Sequence, residues 1–118
     1  MNNESILTAV SEWATSKGLD YDAAILSAPP ALLDLRTLLS PGELPPDSSG
    51  VCLTVRTPSG AEFAGQLGFW LPATGRGSWT SLSESDSEIG TSWIPEFHDE
   101  RELITFVNAQ VEDFLAAV

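Results

Sequence analysis

The stretch Val51–Arg56, which reads VCLTVR, decides the fold of this chain. Apolar side chains alternate there with more polar ones, and such alternation predicts a half-buried β-strand. Thr57–Gly60 reads TPSG, a turn with proline early and glycine late. The alternation then resumes, and one face of the return strand collects Ala61, Phe63, Gly65, Leu67, Phe69 and Leu71. Two alternating strands joined by a short turn predict an antiparallel hairpin, the start of a β-meander.

The return strand also carries two internal glycines, Gly65 and Gly68. Because an isolated glycine inside a strand often marks a bulge, we expect a bulge here that could reverse the facing of later residues. The stretch Pro72–Gly77 predicts the next turn. Beyond it, Ser78–Glu84 predicts a third strand.

The sequence also predicts the end of the meander and an optional extra strand. The polar stretch Ser85–Glu88 with Gly90 predicts a connection, and Thr91–Phe97 predicts a fourth strand. Pro95 favours an edge position for that strand, because proline has no N–H to donate to a ladder. Tyr21–Leu26 predicts a short strand that would be a fifth, ended by the two prolines that follow it.

Helical patterns stand at both ends of the chain. The first helix is predicted from Ser5 to Lys17, with Asn3 or Ser5 as its N-cap and Gly18 as its stop. The second helix is predicted after Asp99, because Asp99 followed by Glu102 has the form of a capping box. Acidic residues in its first turn complement the helix dipole.

The sequence therefore predicts one α+β domain over residues 1–118. Its antiparallel meander of four strands, or five, would lie under an N-terminal and a C-terminal helix packed on one face. Residues 29–50 form an irregular segment rich in proline and leucine, with one or two helical turns over 31–39 and a loop after them. The predicted core consists of Ile6, Val10, Trp13, Leu53, Val55, Leu67, Leu103, Phe106, Val107, Val111 and Phe114.

The charge balance restricts the partners. Among 118 residues, 17 acids oppose 5 bases, which gives a net charge of −12. Phosphate contacts need clustered lysine and arginine, so nucleic-acid binding is excluded as a primary function. Anionic lipid would repel such a chain and basic protein surfaces would attract it. The polar N-terminus and the absence of a long apolar run predict a soluble, cytoplasmic protein that does not contact membranes.

No motif predicts catalysis, a cofactor or a metal site. The chain has a single cysteine, Cys52, and a single histidine, His98. Cys52 lies inside an alternating strand, where a small strand residue is a simpler interpretation than a nucleophile. His98 has no second histidine or nearby cysteine with which to hold zinc. The acidic stretch Glu84–Glu88 lacks the glycine and the ligand spacing of a calcium loop. We therefore expect no enzyme activity.

Three of the four tryptophans and several acids of the last third are the candidate binding residues. Trp70 and Trp79 are predicted to lie opposite the main apolar register of their strands, either exposed or buried under a bulge or loop. Tryptophan is enriched in interface hot spots, and carboxylates speed encounter with a basic partner. The candidate partner-binding residues are Trp70, Trp79, Glu84, Asp86, Glu88, Trp93, Glu96 and Asp99. Trp79 and Trp93 could form the aromatic centre of a patch with an acidic rim.

Several of these segments follow one another in a recognisable order. A tryptophan-ended strand, Gly65–Trp70 (GQLGFW), precedes a glycine turn at Thr74–Gly75. A polar strand and an acidic hairpin follow over Ser78–Gly90, and the helix that begins with Asp99–Leu103 (DEREL) closes the pattern. In this order the chain resembles the immunity proteins of bacterial polymorphic toxin systems, in particular the small TriTu immunity family. The first helix, with Trp13, is similar to the short N-terminal helix of that family.

The resemblance implies a small cytosolic protein without catalytic residues. It implies that the partner is a co-encoded toxin, often a nuclease or another basic enzyme, whose active site or assembly is blocked. Two functions follow as hypotheses. The first is an immunity protein that neutralises its toxin by tight association. The alternative is a small acidic secretion chaperone, an obligate dimer that holds an effector segment in an apolar groove.

Overall fold

The computed structural model describes residues 2–30, 33, 49–57, 65–73, 77–83 and 86–116, with the backbone alone for 82–83 and 86–90. Two helices flank five strands, which confirms the predicted α+β class. The elements are α1 (Asn3–Ser16), β1 (Asp20–Leu26), β2 (Gly50–Arg56), β3 (Gly65–Leu71), β4 (Ser78–Ser83), β5 (Asp86–Trp93) and α2 (Glu100–Ala116). Apart from Leu33, the segment predicted to be irregular lies largely outside the described residues.

The five strands form one sheet in the order β1-β2-β3-β4-β5, and each neighbouring pair is antiparallel. The meander is thus confirmed, and the optional fifth strand is β1, at one edge. We call the face covered by the helices the front face. It carries Val51, Leu53 and Val55 from β2, opposite Leu71, Phe69 and Leu67 from β3.

Two expectations about the strands are wrong. The predicted bulge in β3 is absent, because β2 and β3 pair without a register shift from Arg56 and Gln66 to Val51 and Leu71. The irregularity lies between β4 and β5, at Ser81 and Ser83.

The last strand is also shifted from its predicted range of 91–97. β5 spans Asp86–Trp93, so most of the stretch predicted as a polar connection is strand. The outer side of an edge strand faces solvent, and polar residues are therefore tolerated there. Ile94 N still donates to Gly77 O (2.9 Å), and Pro95 follows without an N–H to continue the ladder.

Helix α1 begins two residues earlier than predicted. Asn2 is the N-cap, and its side-chain oxygen accepts from Ser5 N at 2.8 Å. Ser5 Oγ accepts in turn from Asn2 N at 3.0 Å, so Ser5 completes a capping box rather than capping the helix itself. Gly18 stops the helix as expected, with a positive φ of 67° that a residue with a side chain adopts only under strain.

Helix α2 begins at the capping sequence that the pattern predicts. Glu102 N donates to Asp99 Oδ1 at 2.9 Å, so Asp99 caps the helix. The returning bond differs from that of a capping box, because Glu102 Oε2 accepts from His98 N (3.0 Å) instead of from Asp99 N. The acidic turn is therefore tied to the residue before the cap.

The two helices run parallel and in register across the front face. Ser5 Oγ donates to Glu100 Oε1 (2.6 Å), and Trp13 Nε1 donates to Asn108 Oδ1 (3.0 Å). Lys17 Nζ forms an ion pair with Glu112 at 3.2 Å. The three contacts are spaced equally along both helices, so the N-terminal end of α1 lies beside the N-terminal end of α2 and the C-terminal ends also lie side by side. Within the described part of the chain, no helix is long and apolar enough to cross a membrane.

The main core fills the space between the helices and the front face. Eight of the predicted core residues are buried there: Ile6, Val10, Leu53, Val55, Leu67, Leu103, Val107 and Val111. The core also includes Val51, Phe69, Leu71 and Ile94, which the predicted core lacked. The prediction of full burial is wrong for Trp13, Phe106 and Phe114, which pack against this core but are only partly buried. Trp13 keeps its indole nitrogen at the side of the helix, where it meets Asn108.

Candidate functional site

Trp79 belongs to the front face, contrary to the prediction that it opposes the main apolar register. It pairs with Phe69 across β3 and β4. Residues directly opposite each other in an antiparallel pair point to the same face of the sheet. The two rings stack with centroids 6.5 Å apart and an interplanar angle of 22°. Trp79 is half-buried and therefore contributes mainly to the core.

Trp70 lies on the opposite face, which we call the back face. Its β4 neighbour is Ser78, and Ser78 in turn pairs with Trp93 of β5, so the three side chains form one row. Trp70 is only 5% exposed. Ser78 Oγ donates to Leu33 O at 2.5 Å, and Leu33 is itself buried. Of the two alternatives for Trp70, exposed or buried, the structure has the buried one.

The proposed aromatic centre of Trp79 and Trp93 does not form. Trp79 pairs with Ser92, so the next residue, Trp93, points to the back face. Trp93 is half-buried there. A single partner surface on the sheet can therefore contain one of these tryptophans but not both.

The predicted acidic residues fall into two groups. Glu84 lies outside the described residues, and Asp86 and Glu88 belong to β5 with only their backbone described. Glu96 and Asp99 are exposed in the connection between β5 and α2. Together with the exposed Glu102, we call these residues the acidic connection.

The acidic connection has few basic groups nearby among the described residues, and the closest is His98, whose Nδ1 lies 3.2 Å from Glu102 Oε2. Among the lysines and arginines that the structure describes, Lys17 pairs with Glu112, and Arg56 pairs with Asp20 and Asp22 at the far edge of the sheet. Arg101, exposed in the first turn of α2, is the remaining described base and forms no ion pair with a described residue. Among the described residues, carboxylates therefore outnumber bases in the acidic connection and beside it.

Hydrogen bonds keep the carboxylates around the acidic connection ionised. The backbone N–H and then the ring of His98 lower the pKa of Glu102. The Ser5 hydroxyl, as the largest cause, lowers the pKa of Glu100. A donor that bonds the charged form favours that form. The negative charge of this turn is accordingly retained to a lower pH than an isolated glutamate would allow.

A cavity of about 270 Å³ lies next to the acidic connection. Its walls come from the end of β3, from the residues after β5 and from the first turn of α2. Leu71, Ala73, Ile94, Phe97 and Leu103 supply apolar surface, and the exposed residues Glu96 and His98 also line the cavity. Sequence reasoning missed this cavity, because it assigned Ile94–Phe97 to a strand and its walls come from three separate segments.

A second concavity is a shallow groove between the two helices. Trp13 and Ile104 lie in it, together with Glu12 and Arg101, and its volume is about 540 Å³. Here the half-buried Trp13 has its indole N–H already bonded to Asn108. Trp13 was predicted to be a core residue, so this groove also lies outside the predicted site.

The remaining reactive side chains have local explanations. Burial raises the pKa of the Cys52 thiol, and a hydrogen bond with Thr54 acts in the opposite direction with a smaller effect. A thiol with a raised pKa is a poorer nucleophile near neutral pH, because less of it is thiolate. Across the described ranges, no group of three or more His, Cys, Asp or Glu side chains is placed to hold a metal ion.

Comparisons with known proteins find no matching family model, curated protein or solved structure.

Proposed function

We propose that this chain is an immunity-type protein that neutralises a toxin by binding it tightly. Its partner presents a basic surface, and the acidic connection of Glu96, Asp99 and Glu102 meets that surface. The observation that carries the proposal is the exposure of these three carboxylates beside a single described lysine or arginine, Arg101. The resemblance of the strand and helix pattern to toxin immunity proteins agrees with this chemistry.

The charge of the chain supports the kinetic part of the proposal. A net charge of −12 attracts a cationic partner over a distance of about one Debye length, near 8 Å at physiological salt. Such attraction raises the association rate more than it raises the final affinity. Rapid capture suits an inhibitor that must bind a toxin before the toxin reaches its target.

The position of the carboxylates supports the same proposal. Asp99 and Glu102 are held by the cap of α2, so their geometry is fixed before a partner arrives. A preordered side chain loses less conformational entropy on binding than a mobile one. Partner arginines can then form charge-assisted hydrogen bonds with these carboxylates.

The test is co-expression with the toxin domain encoded beside the gene of this chain, followed by surface plasmon resonance on the purified pair. Growth of the host should be restored by the wild-type chain. The double variant Glu96→Gln, Asp99→Asn should bind more slowly and with a flatter salt dependence. Asparagine retains the N-cap, so the helix start is preserved.

The matched control removes two charges elsewhere. Glu4→Gln with Glu12→Gln changes the net charge equally, and both residues are exposed on α1. Its association rate should fall less than that of the first variant. Equal association rates for the two variants would place the binding surface elsewhere, and failure of the wild-type chain to bind or protect would refute the proposed function.

A further inference from the structure

The cavity beside the acidic connection has walls that combine apolar side chains with polar atoms. Leu71, Ile94 and Leu103 are almost completely buried and form its inner wall. Phe97 is half-buried and lies against Phe106 of α2, with ring centroids 5.9 Å apart. Polar atoms supply somewhat more of the accessible lining than carbon does, so the cavity suits a ring that offers both an apolar face and a polar N–H.

The volume of the cavity sets the size of group that it accepts. An apolar cavity of about 150 Å³ is large enough to hold benzene. The present cavity, at about 270 Å³, therefore has room for a bicyclic ring such as indole. Aromatic side chains are frequent hot-spot residues in protein interfaces, where they are buried in pockets of the partner.

The carboxylates on the solvent-exposed side of the cavity determine which charged group can lie beside a bound ring. Glu96 lines the cavity and is exposed, and the exposed Asp99 and Glu102 follow it in the connection and in the first turn of α2. A cation adjacent to the ring would meet these carboxylates, whereas an anion would be repelled. The exposed Arg101 is the one described lysine or arginine in this part of the chain.

We propose that this cavity is the anchor pocket of the partner surface, and that it receives an aromatic side chain flanked by lysine or arginine. This inference rests on the proposed function, because it assigns the recognised chemistry to the same surface. The aromatic ring supplies the slow dissociation, and the neighbouring base supplies the fast association. The pocket thus specifies a short aromatic–basic motif in the partner.

The first experiment uses small probes and needs no toxin. Tryptamine, an indole with an ammonium group, and indolepropionate, an indole with a carboxylate, are titrated into the labelled protein by NMR. Tryptamine should shift the backbone amides of Ala73, Ile94 and Phe97. It should bind about two- to fivefold more tightly than indolepropionate at low salt, the range expected for exposed charges.

Two variants then assign the probe to the pocket. Ala73→Leu adds side-chain volume inside the cavity and should abolish the saturable shifts. The matched control Ala9→Leu enlarges a half-buried alanine in the groove between the helices and should leave them unchanged. Glu96→Gln should remove most of the preference for tryptamine, whereas Glu12→Gln, in that groove, should not. If Ala73→Leu fails to fold, the Glu96 and Glu12 pair still decides the result.

The outcomes separate the pocket from the proposed function. Saturable binding at Ala9 and Ile104 instead, equal binding of the two probes, or no binding would overturn the anchor pocket. If the cognate toxin binds but Ala73→Leu leaves its dissociation rate unchanged, the anchor is wrong and the proposed function stands. If the probes bind as expected but no toxin is neutralised, the pocket stands as an aromatic–cation site and the proposed function fails.

Discussion

The two faces of the sheet are both covered, but by different means. The front face carries aliphatic side chains together with Phe69 and Trp79, and it lies under two helices whose apolar stripes match it. The back face carries Trp70, Ser78 and Thr80, all nearly inaccessible, and Leu33 lies over it. The front face is thus buried by regular elements with a periodic sequence, whereas the back face is buried at least in part by a residue from an irregular segment.

This difference shows what hydrophobic alternation can and cannot predict. Alternation identifies the face that a strand presents to its main core, since its period matches that of the strand. It also marks the other side of the strand as the polar one. A tryptophan on that side is therefore predicted to be exposed, although a segment distant in the chain can cover it. Such a segment cannot be identified from the sequence when it has no hydrophobic periodicity.

The largest expected effect tests the front face. Phe69 is completely buried and stacks on Trp79, so Phe69→Ala should lower the free energy of unfolding by about 3–5 kcal/mol. Phe106 is only partly buried, and Phe106→Ala should cost roughly half as much. Urea denaturation followed by tryptophan fluorescence measures both values. Equal losses would mean that the front core extends further under α2 than the burial of Phe106 indicates.

The next effect tests the close packing of the backbone at the end of the sheet, beside Ile94 of the main core. A Cβ added at Gly77 would overlap the carbonyl oxygen of Trp70, and backbone cannot move aside easily. Gly77→Ala should therefore destabilise the protein by about 1–3 kcal/mol. Gly68 is the matched glycine, because its added Cβ would lie 3.5 Å from Leu33 Cδ1, an ordinary contact.

Gly68→Ala should be neutral or stabilising by up to about 1 kcal/mol, since alanine suits a strand better than glycine does. Thermal denaturation of the two variants gives the comparison. A loss at Gly68 as large as that at Gly77 would show that Leu33 packs on the back face more tightly than this contact indicates.

A smaller effect tests the polar contact that fixes Leu33. Ser78 is 1% exposed, and Ser78→Ala leaves the Leu33 carbonyl without its hydroxyl donor. The loss should be about 1–2 kcal/mol, within the cost of an unsatisfied buried polar group. Ser81→Ala, an exposed serine of the same strand, is the control and should be close to neutral. Chemical denaturation of both variants checks this, and a neutral Ser78→Ala would mean that Leu33 is held by packing alone.

The sequence was sufficient for the fold class, the strand order and the capping of α2, because each rests on local pattern. It failed at Trp79, where SWTSLS has no apolar alternation of its own and the pairing with Phe69 decides the facing. It left Trp70 undecided, because the covering Leu33 comes from an irregular segment. Within the candidate site, Glu96 and Asp99 are exposed, and their role in binding a partner stays a prediction. The cavity beside them could not be predicted, because it forms only when separate segments meet.

The smallest expected effect is a pH dependence of the stability that comes from contacts between the two helices on the front face. Lys17, as the largest cause, and Asn108 lower the pKa of Glu112, and the hydroxyl of Ser5 lowers that of Glu100. A carboxylate with a lowered folded pKa stabilises the protein above its unfolded pKa, near 4.3. That contribution disappears as the pH falls through the folded value. The Ser78–Leu33 contact on the back face contains no titratable group and should not respond directly.

The stability of the wild type should therefore depend on pH below this range more steeply than that of Glu112→Gln. Asp113→Asn removes a neighbouring exposed carboxylate that has no ion pair with a described residue, and it serves as the matched control. Urea unfolding near neutral pH and again below the ordinary glutamate pKa measures the difference. Both groups of the Lys17–Glu112 pair are well exposed, so solvent and salt screening keep the effect small. Equal changes of the pH dependence in Glu112→Gln and Asp113→Asn would have a different explanation. The change would then come from the lower overall negative charge of the protein, and the Lys17–Glu112 contact would contribute nothing measurable to stability.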